Sequence, residues 1–204
     1  MPRLPRIDRQ QVLDVAEAIV VQHGAGQLTI DAVARAAGIT KGGVQSCFGT
    51  KDQLVTALLQ RWAGAWEAAK ARAAMPAEPG AAPLTPVQQH VRVTATETAL
   101  NARAASLLAA VLQSPAQTEW LRTWYAEQLL PLDLGTDDGR RARLAFLATE
   151  GAFLLRYLGL ARFDDSQWQD LFADLERCAR PAGASPAIDA GDTGPTDNTP
   201  QAAA

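Results

Sequence analysis

Polar and basic residues recur among apolar ones in the segment Thr29–Leu54. Lys41 and Lys51 can each neutralise a phosphate, and the amide of Gln45 can form two hydrogen bonds to a base edge or one to a phosphate. The adjacent glycines at 42–43 would let a second backbone approach closely, although each costs a helix about 1 kcal/mol. Together these residue types indicate contacts to a nucleic-acid groove.

Two short helices joined by a tight turn are expected to position these side chains. Thr29 and Thr40 are favourable N-caps, and Gly38 between them can adopt a positive φ without steric cost. Val44 and Phe48, four residues apart, would face the core and leave the rest of the second helix facing outward. The expected DNA-binding residues are Thr29, Thr40, Lys41, Gly42, Gly43, Gln45, Ser46 and Lys51.

This helix-turn-helix pattern resembles the DNA-binding motif of the tetracycline-repressor (TetR) family of transcriptional regulators. The matching positions are Thr29, Val33, Ala34, Ala37, Gly38, Ile39, Phe48, Lys51 and Leu54. Two positions depart from the family pattern, because Gln45 stands where Tyr is usual and Cys47 where His is frequent. Gln45 therefore contacts a base, or it replaces the tyrosine on a phosphate, and both interpretations stay open. The resemblance implies a homodimer on a two-fold operator, and an effector in the body that tilts the linker helices until the heads no longer match the half-sites.

An all-α chain in two parts is expected, because helical periodicity and capping residues recur and no strand pattern is present. We expect a three-helix helix-turn-helix DNA-binding domain at 1–55 and a helical ligand-binding and dimerisation domain at 56–180. The tail at 181–204 contains no aromatic residue and is expected to be disordered. The linker and body helices are expected at 50–74, 86–100, 102–113, 115–130, 138–161 and 165–179.

Two pairs of tryptophans lie one helical turn apart, so the members of each pair share a helix face. Such pairs usually belong to a core, but they can also wall a ligand pocket, which the resemblance places between the linker helix and the C-terminal helices. Polar side chains such as His90 would then orient the ligand. Glu150 lines this cavity, pairs with an arginine, or faces solvent. The expected ligand-binding residues are Trp62, Trp66, Thr94, Asn101, Trp120, Trp124 and Glu150.

The helix expected at 138–161 is apolar around most of its circumference, which indicates burial on more than one side. The last helix adds a second apolar face, and the two faces together exceed what a single body can cover. We therefore expect a homodimer. Its expected interface residues are Phe146, Phe153, Leu154, Tyr157, Trp168 and Phe172.

The charge of the chain is unevenly distributed. Residues 1–61 hold seven Lys or Arg against five Asp or Glu, whereas residues 62–204 hold 12 against 17. The modest basic balance therefore coincides with the helix-turn-helix. Near the N-terminus, Arg3, Arg6 and Arg9 either contact DNA or form a solvated basic arm.

The sequence offers little support for other classes of function. Two cysteines, Cys47 and Cys178, are too few for a disulfide framework or a zinc site, and no catalytic constellation, metal-spaced cluster or membrane span is evident. Cys47 is a redox sensor or, more commonly for such a residue, a small packing residue. We expect a cytoplasmic protein that is not an enzyme, needs no cofactor and has no membrane partner.

These features favour a ligand-responsive transcriptional regulator that binds double-stranded DNA. With the resemblance, they indicate a repressor released from a palindromic operator by a small hydrophobic effector. Two alternatives remain open, namely a helical DNA-binding protein without a ligand, and a small-molecule-binding helical protein with a degenerate head.

Overall fold

Helices make up most of the described chain. The computed structural model describes residues 7–75, 82–112 and 114–182. Its helices are α1 (Arg9–His23), α2 (Ile30–Ala37), α3 (Lys41–Phe48), α4 (Lys51–Ala74), α5 (Pro86–Thr96), α6 (Thr98–Val111), α7 (Pro115–Leu129), α8 (Asp137–Tyr157) and α9 (Asp165–Cys178), with a 3-10 turn at Ala25–Gln27. This confirms the all-α fold class. Arg3, Arg6 and all but the first two residues of the expected disordered tail lie outside the described residues.

The helices of the head start at the capping residues that the sequence predicts. The hydroxyl of Thr40 accepts a hydrogen bond from the backbone N–H of Gly43 at 3.0 Å, which fixes the start of α3. Gly38 adopts φ 66° at the end of α2, the left-handed conformation expected of the turn. Thr50 and Gln53 form the expected capping box at the start of α4. These local bonds set the direction in which α3 leaves the turn.

The break between α5 and α6 lies at Glu97 rather than at the predicted position 101. Glu97 has non-helical angles, φ −88° and ψ 64°. The side-chain amide of Asn101 donates to the backbone oxygen of Thr94 at 2.8 Å, and so replaces a backbone N–H that a continuous helix would supply. The predicted boundary was wrong because Asn101 lies within α6 and its side chain bonds back across the turn to Thr94.

Helix α4 runs from the head into the body. Its first half buries Leu54 and Leu58 in the core formed by α1, α2 and α3. Its second half places Trp66 in a separate cluster with Val93 of α5 and Leu100 of α6. Because α4 is one continuous helix, a movement of its second half in the body also moves its first half, which packs in the core of the head.

The core of the head also includes the end of α6. Leu107, Ala110 and Val111 are buried in the same cluster as the apolar residues of α1 and α4. A third cluster, between α5, α8 and α9, forms the far end of the body. The head consequently rests on a body helix as well as on the linker helix.

Among the residues that the structure describes, no helix has both the length and the apolar character needed to cross a membrane.

Candidate nucleic-acid face and body pocket

The outer face of α3 is exposed as the sequence predicts. Val44 and Phe48 are buried in the head, whereas Gln45 and Ser46 lie on the exposed side of the same helix. Thr29 and Thr40, the two N-caps, are exposed beside this face. The four polar side chains are thus available to a molecule that approaches α3.

Two lysines flank the exposed face of α3 in different environments. The ammonium of Lys41 lies 3.2 Å from a carboxylate oxygen of Asp31, and both side chains are exposed. Exposed ion pairs are weak and are screened by salt, so a phosphate can compete with Asp31 for Lys41. Lys51 is the first residue of α4 and is partly exposed, next to backbone N–H groups at the helix start.

The two adjacent glycines of α3 have different surroundings. A Cβ atom at Gly42 would meet no other atom within 4 Å. A Cβ atom at Gly43 would lie 2.8 Å from the Cδ1 atom of Ile7, so the absent side chain there makes room for the N-terminal segment. The close approach at Gly43 is therefore to the chain itself, whereas the expected contact of either glycine with DNA stays a prediction.

Arg9 is used within the head. Its Nη1 atom donates to the backbone oxygen of Cys47 at 2.6 Å, and its guanidinium lies 4.3 Å from the ring centroid of Phe48. The carbonyl belongs to the last turn of α3, where a cation is favourable. Arg9 therefore fastens the end of α3 to the start of α1.

The body contains a cavity between α4, α5, α6, α7 and α8. All seven residues expected to bind a ligand line this cavity, although they come from five helices. The full lining is Leu59, Trp62, Trp66, His90, Thr94, Asn101, Ala104, Leu107, Leu108, Val111, Trp120, Leu121, Trp124, Tyr125, Glu150 and Phe153. The cavity has a volume of about 60 Å³, which is room for a few water molecules.

Tryptophan rings fill much of the wall. The ring centroids of Trp62 and Trp66 are 5.5 Å apart and stacked, and Trp124 lies 5.7 Å from Trp62 and 6.4 Å from Trp66. These are distances of direct aromatic contact. A ligand with several rings would therefore have to part the tryptophans to enter.

One polar network lies in this otherwise aromatic wall. The Nε2 atom of His90 lies 2.8 Å from one carboxylate oxygen of Glu150, and the hydroxyl of Tyr125 donates to the other oxygen at 2.5 Å. Burial, the negative charge of Glu150 and this hydrogen bond together raise the pKa of Tyr125 far above its ordinary value. Glu150 thus lines the cavity with a histidine and a tyrosine as partners, rather than an arginine.

His90, which the sequence suggests as a polar group that orients the ligand, lines the cavity beside the seven expected ligand-binding residues. It is buried, and it lies one helical turn before Thr94, whose hydroxyl donates to the His90 carbonyl. The shared face of His90 and Thr94 was a usable signal. Tyr125 could not be found in this way, because its position next to Trp124 places it on a different part of α7.

Two family models match the chain. The model described as bacterial regulatory proteins of the tetR family matches residues 12–58, and the one described as the tetracyclin repressor-like C-terminal domain matches residues 85–180. The chain belongs to the TetR family. It is therefore a DNA-binding transcriptional regulator with a helix-turn-helix head, and the helix-turn-helix predicted from the sequence is confirmed.

Solved structures share this fold. A TetR-like transcriptional regulator from Rhodococcus sp. RHA1 is 24% identical with a TM-score of 0.58, and the match covers 86% of this chain and 97% of that one. The multidrug binding protein EbrR, in complex with imidazole, is 22% identical with a TM-score of 0.58 over 83% and 95% of the two chains. SmeT in complex with triclosan is 19% identical with a TM-score of 0.61 over 92% and 98%. A search of curated proteins found no match.

In this TetR-family regulator, the cavity wall is joined to the head by hydrogen bonds. Gln117, buried at the start of α7, donates to the backbone oxygen of Asp52 at 2.8 Å and lies 2.9 Å from the hydroxyl of Thr56. The same helix carries Trp120 and Trp124 of the cavity wall. Gln117 therefore ties a wall of the cavity to the first turns of α4, beside Lys51.

Ion pairs join the head to the body on another side of the regulator. Arg61 of α4 pairs with Asp14 and Glu17 of α1, and Arg103 of α6 lies 3.1 Å from Glu17. Each of α4 and α6 also contributes side chains to the cavity. Both helices therefore contact the cavity and the head.

Half of the residues predicted for the dimer interface lie inside the protomer. Phe146, Trp168 and Phe172 are at most 6% exposed and pack in the cluster between α5, α8 and α9, so their prediction as interface residues was wrong. Phe153, Leu154 and Tyr157 remain partly exposed.

The exposed apolar surface of α8 consists instead of leucines. They are between 41% and 59% exposed and recur at helical spacing: Leu144, Leu147 and Leu155 within α8, and Leu158 at its C-cap. The spacing places them on one side of the helix, and we refer to them as the α8 leucine stripe. The helical spacing of these leucines is visible in the sequence, but the interface prediction rested mainly on the large aromatic residues of the same helix.

Proposed function

We propose that this regulator is a homodimeric repressor that binds a palindromic operator and leaves it when a small hydrophobic effector occupies the body cavity. The observation that carries the proposal is the position of the cavity, whose walls include α4, α6 and α7. Each of these helices also contacts the head, through the core of the head, the Gln117 hydrogen bonds or the Arg61 ion pairs. A ligand that parts the tryptophans therefore displaces helices on which the head rests.

The character of the cavity supports a hydrophobic effector. Its lining is mainly apolar and aromatic with a few polar groups, which is the usual composition of a small-molecule site. EbrR and SmeT, which share the fold, are known in complexes with imidazole and triclosan. The ligand-binding residues are then the seven predicted ones together with His90 and Tyr125.

The DNA-binding surface is the exposed face of α3 with the start of α4. Gln45, Ser46 and Lys41 would contact the groove or its phosphates, while Thr29, Thr40, Gly42 and Lys51 would approach the backbone of the duplex. Residues 1–55 act as the DNA-binding domain and residues 56–180 as the ligand-binding and dimerisation domain. Such a regulator acts in the cytoplasm, where its operator is.

Selection from a random DNA pool, followed by a gel shift of the selected sequence with candidate ligands, tests this function. We expect a palindromic sequence to be selected and hydrophobic ligands that change tryptophan fluorescence to weaken the shift. Absence of a selected sequence would indicate a degenerate head. Ligands that bind without changing the shift would indicate that the ligand does not regulate DNA binding.

A further inference from the structure

Two residues that line the cavity each have a buried side-chain nitrogen without a hydrogen-bond partner among the described residues. These nitrogens are the indole Nε1 of Trp66 and the imidazole Nδ1 of His90. The two rings are neighbours, with centroids 5.2 Å apart in an edge-to-face arrangement. Buried polar groups are nearly always paired, so the two atoms on these adjacent rings are candidates to bind a polar group of a ligand.

The two atoms differ in their hydrogen-bonding character. The indole Nε1–H of Trp66 can only donate. Glu150 accepts from the Tyr125 hydroxyl through one oxygen, and its other oxygen lies at hydrogen-bond distance from His90 Nε2. Where Nε2 donates to the carboxylate and the ring carries this single proton, Nδ1 is an acceptor. The wall therefore presents one unpaired donor beside one unpaired acceptor.

We propose that the effector carries a hydroxyl group on an aromatic frame, and that this hydroxyl accepts from Trp66 Nε1 and donates to His90 Nδ1. This inference rests on the proposed function, since it names the class of effector that the cavity takes. A hydroxyl is the simplest group that both accepts and donates through one atom. The aromatic frame follows from the indole rings against which the ligand must pack.

Other ligand groups fit the pair less well. An ether oxygen can accept from Trp66 but offers no proton to His90. A carboxylate would place its charge against the His90 lone pair and near Glu150. An ammonium group would leave Trp66 Nε1 unpaired, and both oxygens of Glu150 already have partners.

A matched series of naphthalene derivatives tests the inference: 2-naphthol, 2-methoxynaphthalene, 2-methylnaphthalene, 2-naphthoate and 2-naphthylmethylammonium. Calorimetry or tryptophan fluorescence at neutral pH, with the full chain, gives each affinity. We expect 2-naphthol to bind about tenfold more tightly than 2-methylnaphthalene, because it gains hydrogen bonds that the methyl group cannot make. The methoxy compound should lie between them.

Two variants assign the preference to the proposed atoms. Trp66→Phe keeps an aromatic ring but removes the hydrogen-bond donor. The preference for 2-methoxynaphthalene over 2-methylnaphthalene should therefore disappear. The preference for 2-naphthol over 2-methylnaphthalene should become smaller. Trp124→Phe changes an indole of the same wall and leaves both proposed atoms in place. It should change all affinities in parallel and keep their ratios. Because the readout is a ratio, a general loss of affinity in either variant leaves the comparison intact.

The outcomes separate this inference from the function on which it rests. Equal binding of the hydroxyl and methyl compounds, tightest binding of the naphthoate or the ammonium compound, or no binding of any member up to its solubility limit would each overturn the hydroxyl assignment. Preference for 2-naphthol that survives Trp66→Phe unchanged would also overturn it. The proposed function is tested separately, by selection of operator DNA and by release of that DNA with any ligand of the cavity.

Discussion

Gln45 and Lys51 lie at the same surface of the head but offer different chemistry. Removing the ammonium in Lys51→Ala should weaken binding to all sequences and lower the salt dependence of log K by about 1 per half-site, because one phosphate neutralisation is lost. If Gln45 contacts a base, Gln45→Ala should instead cost about 1–3 kcal/mol at one base pair and relax the preference there. Salt titrations of selected and random DNA, with repeated selection, measure both effects.

The pair of substitutions also distinguishes the two roles left open for Gln45. If Gln45 replaces the family's tyrosine on a phosphate, Gln45→Ala will weaken selected and random DNA in parallel. The selected sequence would then be unchanged, and the assignment of Gln45 to a base would be wrong. Lys51→Ala serves as the reference for the behaviour of a pure phosphate contact.

Tyr125 should remain un-ionised at pH values where an ordinary tyrosine ionises. Its pKa is raised by burial and by the charge and hydrogen bond of Glu150, so the un-ionised form is favoured only in the folded state. This contribution to stability is complete below the unfolded value of 10.0 and is lost as the pH rises above it. Thermal melts above pH 10 should therefore fall more steeply for the wild type than for Tyr125→Phe.

The absorbance of tyrosinate gives a direct control for Tyr125. The chain contains only two tyrosines, so Tyr157→Phe leaves Tyr125 as the sole source of the signal. In that variant the alkaline absorbance should appear together with loss of helical circular dichroism. A tyrosinate signal near pH 10 in the folded protein would show that Tyr125 is not held in the network.

At the residue scale, the sequence predicted which side chains meet but not how they are paired. Helical spacing paired Trp62 with Trp66 and Trp120 with Trp124, and the family resemblance placed both pairs at one cavity, which they line. The partners of Glu150 come from α5 and α7, and no local pattern relates helices that lie this far apart in sequence. The interface aromatics were misassigned for a similar reason, since periodicity gives the face of a helix but not its neighbour.

Helix α7 should transmit the state of the cavity to the head through Gln117. Gln117→Leu keeps a side chain of similar size but removes the bonds to Asp52 and Thr56. Coupling between ligand and operator is typically 1–3 kcal/mol, and we expect this variant to lose about 1 kcal/mol or more of it. Operator affinity measured with and without saturating ligand gives the coupling.

The matched control on the same helix is Thr123→Ala. The Thr123 side chain is exposed and bonds only to the Glu119 backbone of its own helix among the described contacts. It should leave the coupling unchanged. Equal coupling in Gln117→Leu and the wild type, with both proteins folded by thermal melt, would exclude Gln117 from the path between the sites.

At the element scale, the helix boundaries set by caps were predictable and the one set by tertiary contact was not. Thr50 with Gln53 and Pro86 after Thr85 are local signals, and both helices start where these residues place them. The end of α5 depends on a bond between Asn101 and Thr94 that forms only when two helices meet.

The whole molecule should be a homodimer that associates through the α8 leucine stripe. Exposed leucines on one side of a helix form an apolar patch that favours association, and the proposed palindromic operator would require two heads. The double substitution Leu147→Glu and Leu155→Glu should give monomers with weakened operator binding. Sedimentation at micromolar concentration measures the association state.

Leu130→Glu is the control for the dimer prediction. Leu130 is exposed at the end of α7 and does not belong to the stripe, so the same change in chemistry should leave the association state unchanged. A wild-type protein that sediments as a monomer, or a stripe variant that remains dimeric, would contradict the assignment of this surface.

In the proposed mechanism, ligand binding in the cavity and operator binding by the head weaken each other. The most direct test is fluorescence anisotropy of labelled operator DNA, titrated with protein at increasing concentrations of a ligand of the cavity. Saturating ligand should weaken the binding of protein to operator about 5- to 150-fold, and operator should weaken ligand binding by the same factor, because coupling between two sites is reciprocal. Operator affinity that does not change while the ligand saturates the cavity would contradict it.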